Sequence, residues 1–289
     1  MTKSQELVAV SGASSGMGEA TARELASRGF HVLAGVRDEE AAGRLRSEHI
    51  EPVRLDITRE ADVRALADRI EADQEGRQLR ALVNCAGMAM NGPVETVPLS
   101  TWRRMFEVNL FGHIAMIQAL LPALRRSGGR VVNISSTGGR IAMPAFGPYS
   151  ATKFAVEAMS DTLRREVRRQ GVEVVVIEPG AVRTGMNASG REAAHAFTAS
   201  MSPDDRTRYA ELMRAFFATI DGFDRTGISA EQAGSAIADT VTARRPRTRY
   251  TIGRDAALFT RLARIMSDRG LDRALASNER RVLRRGQAD

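Results

Sequence analysis

Residues 7–36 read LVAVSGASSGMGEATARELASRGFHVLAGV. The stretch opens and closes on short β-branched runs, LVAVSG at 7–12 and HVLAGV at 31–36, with the helical pattern GEATARELASRG between them. Runs that are apolar throughout suit strands covered on both faces, where the alternation of a half-exposed strand is not needed. A strand, a helix and a second strand in so short a span imply parallel pairing through a right-handed crossover. Gly12, Gly16 and Gly18 fall in the turn from the first run to the helix, in the pattern G-x-x-x-G-x-G. Glycine permits a sharp turn and a close backbone approach, and the helix N-terminus behind it directs its dipole and free N–H groups at an anion. The loop therefore predicts a pyrophosphate cradle built from Gly12, Ser14, Ser15, Gly16, Met17 and Gly18. The competing reading is a tight turn that holds nothing. The flanking strand and helix argue against it, and the missing P-loop lysine argues against an ATPase.

The same alternation continues outward. Further strand-like runs are PVRLDI (52–57), ALVNCAG (81–87), RVVNISS (130–136), EVVVIEPG (173–180) and TRYTIG (248–253), separated by helical stretches. This pattern predicts an α/β fold with a doubly wound, parallel, seven-stranded sheet, a Rossmann fold. No Pro/Gly/Ser-rich linker or repeat divides the 289 residues, so they read as a single domain. Two segments exceed the basic pattern. Residues 186–229 form a mostly helical insertion carrying Met186, Phe197, Met201, Met213, Phe216 and Phe217. Packing is the default role of those side chains, but the insertion follows a strand's carboxyl end, where such sheets bind ligands, so it is expected to be a substrate lid. Residues 254–289 read as a basic, helical C-terminal extension.

Composition narrows the function. The single cysteine, Cys85, excludes an internal disulfide, and the N-terminus lacks a signal-peptide pattern, so a cytoplasmic protein is expected. The most apolar helical run, HIAMIQALLPAL (113–124), is short for a bilayer and contains a proline, so no integral membrane segment is expected. The net charge of +7 comes from arginines interleaved with acids, without an aromatic-basic module or zinc spacing. A solvated arginine-rich surface accounts for it, and neither nucleic acid nor metal is expected as a partner.

The second run ends Val36-Arg37-Asp38. A carboxylate that would hold an NAD ribose is missing there, whereas Arg37 can pair with a 2′-phosphate. NADP(H) is thus the preferred cofactor, with NAD(H) left open. Asp38 reads as a helix N-cap. Asp56 and Ile57 end the third run; the Asp56 carboxylate suits either an adenine amino group or a cap. Asn84, Ala86 and Gly87 end the fourth run, where small residues allow close approach to a cofactor and packing explains them nearly as well.

The segment GPYSATKFAVE (147–157) places Tyr149 and Lys153 on one face of a helix that starts at Gly147-Pro148. Ser135 and Ser136 end the preceding strand on the same sheet edge as the glycine loop. Asn109 interrupts the apolar helix MFEVNLFGHIAMI, where a buried amide needs partners. A free tyrosine is only about 0.1% phenolate at neutral pH, and a nearby ammonium lowers an acid's pKa by roughly 1–3 units. Such a tyrosine can exchange a proton with a carbonyl or alcohol oxygen. In this reading Ser136 binds the substrate oxygen, Lys153 lowers the Tyr149 pKa and grips the nicotinamide ribose, and Asn109 holds a water that relays protons. The plain alternatives are a polar helix stripe and a structural asparagine.

These motifs, SGASSGMG, LDIT, NCAG, VNLFG, NISSTGG, YSATK and EPGAVRT, resemble the short-chain dehydrogenase/reductase family over about residues 5–190. The resemblance implies a catalytic tetrad that maps onto Asn109, Ser136, Tyr149 and Lys153, with Ser135 the weaker serine. It also implies that Pro179, Gly180, Val182 and Thr184 lie along the nicotinamide, and that the chain forms a homodimer or homotetramer. Ser11 and Cys85 depart from the usual residues without removing a catalytic group. The wording around AGVRD, NGPVETVPLSTWRRMFEVNLFGHIAM and RYTIGRDAAL is most similar to the hydroxysteroid and retinol dehydrogenase-like members. That likeness implies alcohol–carbonyl interconversion on a bulky apolar small molecule. The competing readings are a 3-oxoacyl thioester reductase and a nucleotide-binding regulator without catalysis.

Overall fold

The computed structural model describes residues 5–253, 256–257, 260–261 and 265–285. Seven parallel strands form the main sheet: β1 (Leu7–Ser11), β2 (His31–Val36), β3 (Ile50–Arg54), β4 (Leu79–Asn84), β5 (Arg130–Ile134), β6 (Glu173–Pro179) and β9 (Arg249–Ile252). Their order is β3-β2-β1-β4-β5-β6-β9, so the winding reverses between β1 and β4. A doubly wound sheet opens its ligand crevice at such a reversal, beyond the carboxyl ends of the strands. The short strands β7 (Val182–Arg183) and β8 (Ile228–Ser229) pair separately beside that edge.

Successive residues of each strand feed opposite layers. Val8, Val10, Val32 and Ala34 pack with Ala22 and Leu25 of α1 (Gly16–Ser27), Leu45 of α2 (Glu39–Leu45) and Ile237 and Val241 of α10 (Ala230–Thr242). Leu7, Ala9 and Leu33 face the other side, against Val63 and Leu66 of α3 (Glu60–Glu71) and Met116 and Leu120 of α5 (Gly112–Ser127). The same layer takes Val167, the last residue of α6 (Gly147–Val167). Both faces of the sheet are thus covered, which explains why its strands read as apolar without alternation.

The fourth strand lies at 79–84 and not 81–87, and the third strand likewise sits earlier than the sequence suggested, at 50–54 and not 52–57. It is the sheet's edge strand, where Pro52 is tolerated because no outer neighbour needs its missing N–H. The chain leaves the sheet once the Asp56 carboxylate accepts the Thr58 N–H at 2.9 Å. Asp56 therefore lies beyond β3 and makes a local turn; α3 starts after Arg59. Asp38 does cap α2, accepting the Ala41 N–H at 2.8 Å.

The apolar run 113–124 belongs to a longer continuous helix. α4 (Leu99–Phe106), a π-helical turn (Glu107–Phe111) and α5 run on as 29 residues, enough by length and composition alone to cross a bilayer. Its apolar stripe lies against the sheet, as that of a core helix does. The insertion folds as α7 (Gly185–Ser200), α8 (Pro203–Arg208) and α9 (Ala210–Thr226). In the C-terminal extension, helix α11 (Asp268–Arg285) packs on α9, and the rest of 254–289 lies partly outside the described residues.

The tightest helix contact on the first face is α1 against α10. A Cβ on Gly234 would lie 2.7 Å from the Ala20 carbonyl carbon. Gly234→Val is expected to destabilise the fold by about 1–3 kcal/mol through overpacking, read as a lowered denaturation midpoint. An unchanged midpoint would show that the two helices separate freely.

Candidate active site

The cradle at the sheet reversal is shaped by glycine. Gly12 (φ 68°) and Gly16 (φ 57°) are left-handed. A Cβ on Gly18 would sit 2.1 Å from the Gly12 carbonyl oxygen, so only glycine lets α1 begin this close to the end of β1. Ser15 precedes α1 without a side-chain hydrogen bond to its first turn. The N–H groups there remain directed at the crevice with the positive end of the helix dipole. Ser11 fastens β1 to β4: its Oγ accepts the Cys85 and Ala86 N–H groups at 3.1 and 3.2 Å. A Cβ on Gly16 would touch Thr184 at 3.2 Å, so the segment after β6 lies over the loop. The Gly180 N–H is held by the Ile252 carbonyl at 2.9 Å. A glycine turn, an uncapped helix N-terminus and small residues from three strand ends fit an extended dinucleotide.

Arg37 is exposed at the rim of this cradle, and the Arg44 guanidinium donates to the Ser14 carbonyl at 3.4 Å. Sequence reasoning overlooked Arg44. Its only signal was the α2 cap at Asp38, which fixes where the helix carries it. Asn84 behaves differently from a cofactor contact. Its Nδ2 donates to Asn133 Oδ1 at 2.9 Å, and Asn133 donates to Ser160 Oγ at 2.9 Å, a polar chain inside the protein. Ile57 is buried against Gly112. A Cβ on Gly87 would meet Asn109 Oδ1 at 3.4 Å and the Met186 methyl at 3.6 Å.

The two serines at the end of β5 part company. Ser136 is half-buried and accepts the Gly138 N–H at 3.0 Å. The spot where a Gly138 Cβ would be lies 3.5 Å from Ser136 Oγ and 3.4 Å from the Tyr149 ring, so the two side chains share one corner. Ser135 is buried behind it, its Oγ without a geometric partner. Lys153 is buried on the next turn from Tyr149, its Nζ 5.7 Å from the ring centroid and donating to the Ile134 carbonyl at 2.9 Å. Asn109, fully buried in the π-helical turn, accepts the Met88 N–H at 2.8 Å and donates to the Met88 carbonyl at 2.9 Å and to Thr152 Oγ1 at 3.1 Å. Both of its N–H donors and one oxygen lone pair are engaged, so it anchors Met88 and α6. Thr152 in turn donates to the Tyr149 carbonyl at 2.8 Å.

Burial sets the electrostatics. It holds the Tyr149 phenol above its ordinary value, with the Ser136 hydroxyl pulling the other way. Desolvation sets this net direction in the chain itself, and the Lys153 ammonium, donating to the Ile134 carbonyl, does not reverse it. Burial also draws Lys153 down to about 8, opposed by Cys85 and Glu157. The Cys85 thiol is pushed up to about 11 for the same reason. His113, which the sequence reading passed over, is fully buried with Nε2 2.8 Å from the Ala86 carbonyl, and burial and Lys153 lower it to about 3.

The insertion packs in front of this corner. Met213 and Phe216 of α9 are buried with Ala145, and the Phe146 ring lies 5.1 Å from that of Phe216. A Cβ on Gly92 would strike Phe197 of α7 at 2.7 Å. The loops that flank Tyr149 in sequence and in space are therefore both roofed by the insertion.

Comparison with known proteins agrees with this geometry. The model of the short chain dehydrogenase family matches residues 6–195. The chain is 32% identical over 272 residues to an NADPH-dependent 3-dehydrocapnine reductase of Ornithobacterium rhinotracheale, covering 91% of this chain and 94% of that protein. It is 35% identical to retinol dehydrogenase 16 of Mus musculus (87% and 82% covered). It is also 35% identical to 17-beta-hydroxysteroid dehydrogenase type 6 of Bos taurus (88% and 82% covered). The crystal structure of a short-chain dehydrogenase from Streptomyces avermitilis superposes with a TM-score of 0.74 at 30% identity, covering 99% of both chains. The likeness to hydroxysteroid and retinol dehydrogenase-like proteins read from the sequence is borne out.

His113 gives the site a pH signature. Its folded value of about 3 lies below the ordinary 6.5, so the unfolded chain binds the proton more tightly and stability falls as pH drops from 6.5 toward 3. At pH 4 the loss from this group is about 3 kcal/mol. His113→Gln, which can still donate to Ala86, is expected to flatten stability between pH 6.5 and pH 4, measured by denaturant titration. An unaltered pH profile would remove His113 as its source.

Proposed function

The chain belongs to the short-chain dehydrogenase family of NAD(P)-dependent oxidoreductases acting on CH–OH groups, and we propose that it interconverts a secondary alcohol and a ketone, or an aldehyde, on a bulky apolar steroid- or retinoid-like molecule with NADP(H). The observation that carries this reading is the shared corner of Ser136 and Tyr149, one helical turn from a buried lysine.

In this proposal Gly12, Ser14, Ser15, Gly16, Met17 and Gly18 bind the pyrophosphate through backbone N–H groups and the α1 dipole. Arg37, assisted by Arg44, pairs with the 2′-phosphate. Asp56, Ile57, Asn84, Ala86 and Gly87 border the adenosine and the inner ribose, although Ile57 and Asn84 have only backbone atoms to offer because their side chains are engaged inside. Pro179, Gly180, Val182 and Thr184 line the nicotinamide. When bound, the cofactor supplies or takes up the hydride.

The rest is done by side chains of this protein. Ser136 Oγ donates to the substrate oxygen, and the Tyr149 hydroxyl gives that oxygen its proton in reduction or takes it in oxidation. A phenol held above its ordinary value arrives protonated, the form that serves carbonyl reduction. Lys153 grips the nicotinamide ribose, and its charge opposes the rise of the phenol as the alkoxide develops. Asn109 keeps the Tyr149–Lys153 turn in register through Thr152. The 186–229 insertion acts as an apolar lid, with Met186 and Phe197 at its inner surface. The relatives named for NADPH, retinol and hydroxysteroid chemistry support both the cofactor and the substrate class.

A panel of ketosteroids, retinal, small aldehydes, quinones and oxoacyl thioesters, followed by NADPH oxidation with NADH in parallel, tests the substrate class. Turnover is expected with ketosteroids or retinal, and turnover confined to the thioesters would replace this reading. Tyr149→Phe is expected to cut kcat by at least about 100-fold while NADPH still binds. Full activity in that variant would refute the assigned proton transfer. Arg37→Asp is expected to move the ratio of kcat/KM for NADPH over NADH downward by about 10-fold or more, since a carboxylate repels the 2′-phosphate. An unchanged ratio would discard Arg37 as the reader.

A further inference from the structure

The face of α6 that carries Tyr149 and Lys153 continues one turn further to Glu157, which is 5% exposed and sits in an ion cluster that the sequence did not reveal. Arg140 enters it from the turn after Ser136. Its Nη2 lies 3.1 Å from Glu157 Oε2, and its Nε donates to Glu178 Oε1 at 2.7 Å. Arg249 of β9 closes the cluster from the far side, 3.0 Å from Glu157, 2.8 Å from Asp161 and 3.4 Å from Glu178. Thr251 donates to the second Glu178 oxygen at 3.0 Å. Burying so many charges is costly, and without Arg140 both Glu157 and Glu178 would depend on Arg249 alone among the arginines of the described residues.

Arg140, Glu157 and Glu178 are each joined by a short stretch of chain to a group in the proposed machinery. Arg140 follows Ser136 through a single 3-10 turn, closed by Gly139 N–H to the Ser136 carbonyl at 2.9 Å and Arg140 N–H to the Thr137 carbonyl at 2.9 Å. That turn lies flat on α6, because a Cβ on Gly139 would be 3.0 Å from the Lys153 carbonyl. Glu157 is on α6, and Glu178 precedes Pro179 on β6. The guanidinium thus straps the Ser136 turn to the helix of Tyr149 and to the strand that leads to the nicotinamide segment.

We infer that Arg140 is a positioning residue, holding the Ser136 hydroxyl in register with Tyr149 through its paired contacts to Glu157 and Glu178. The inference rests on the roles proposed above for Ser136 and Tyr149. A loosened strap would misplace Ser136 by a fraction of an ångström, which geometry-dependent catalysis feels strongly. Because the effect runs through Ser136, it should largely vanish when the hydroxyl is already gone.

The test is a double-mutant cycle, using NADPH and the ketone turned over fastest in the panel above. Arg140→Met is expected to lower kcat by about 10- to 100-fold, with the NADPH dissociation constant, from fluorescence titration, within about two-fold of the parent. In the Ser136→Ala background the same change is expected to cost less than about three-fold. Arg140→Lys keeps the charge but not the forked reach, and should fold and lose about 3- to 10-fold in kcat if Arg140→Met does not fold. Equal losses in both backgrounds, or a lowered melting temperature with kcat retained, would overturn the inference. A Ser136→Ala variant with full kcat would instead overturn the role of Ser136, and the inference with it.

Discussion

The backbone at Gly18 passes so close to the Gly12 carbonyl oxygen, 2.1 Å from where a Cβ would be, that the first crossover can be made only by a residue without a side chain. That contact fixes where α1 begins relative to β1. It leaves the helix N-terminus uncapped and directed into the crevice between β1 and β4. The rest of the site is organised around this point. Ser11 ties the end of β4 to the same turn, and Thr184 closes over it from β6. A family whose reaction depends on a cofactor held at one place can vary its lid and tail widely, provided that this approach is kept.

The second organising element is the buried face of α6. Tyr149, Lys153 and Glu157 recur every fourth residue, so they line one side of the helix. An ammonium and a carboxylate on that side pay for burial with partners from other strands: the Ile134 carbonyl for Lys153, two arginines for Glu157. The proposed chemistry and the ion cluster therefore share one helix, and neither can shift without the other. The raised phenol and the lowered lysine both express the desolvation of this face.

Much of this was legible in the sequence because it rests on local pattern. The apolar runs gave the sheet strands, with β3 and β4 each beginning two residues and ending three residues before their runs; β3 is an edge strand containing Pro52, which weakens its signature. Tyr149, Lys153 and Ser136 stood out through spacing and position at strand ends, and Ser136 and Tyr149 share a corner in the folded chain. What escaped depends on contacts between distant residues. Nothing in the sequence pairs Arg140 with Glu157 and Glu178, or Arg249 with Asp161. The π-helical turn that turns the Asn109 carboxamide toward Met88 has no compositional mark. Asn84 was read as a cofactor contact with packing as its rival, and its bond to Asn133 favours packing. The net rise of the phenol comes from a desolvation that only the fold reveals, beside the Lys153 charge that the sequence shows.

The central claim is that the corner of Ser136 and Tyr149 lets a carbonyl carbon take up hydrogen directly from a nicotinamide held in the glycine cradle. Product analysis by mass spectrometry, after incubation of the protein and a ketone with NADPH deuterated at both C4 positions, tests it most directly. The account predicts one deuterium on the new carbinol carbon in water of natural abundance. An alcohol product without deuterium at that carbon would contradict it.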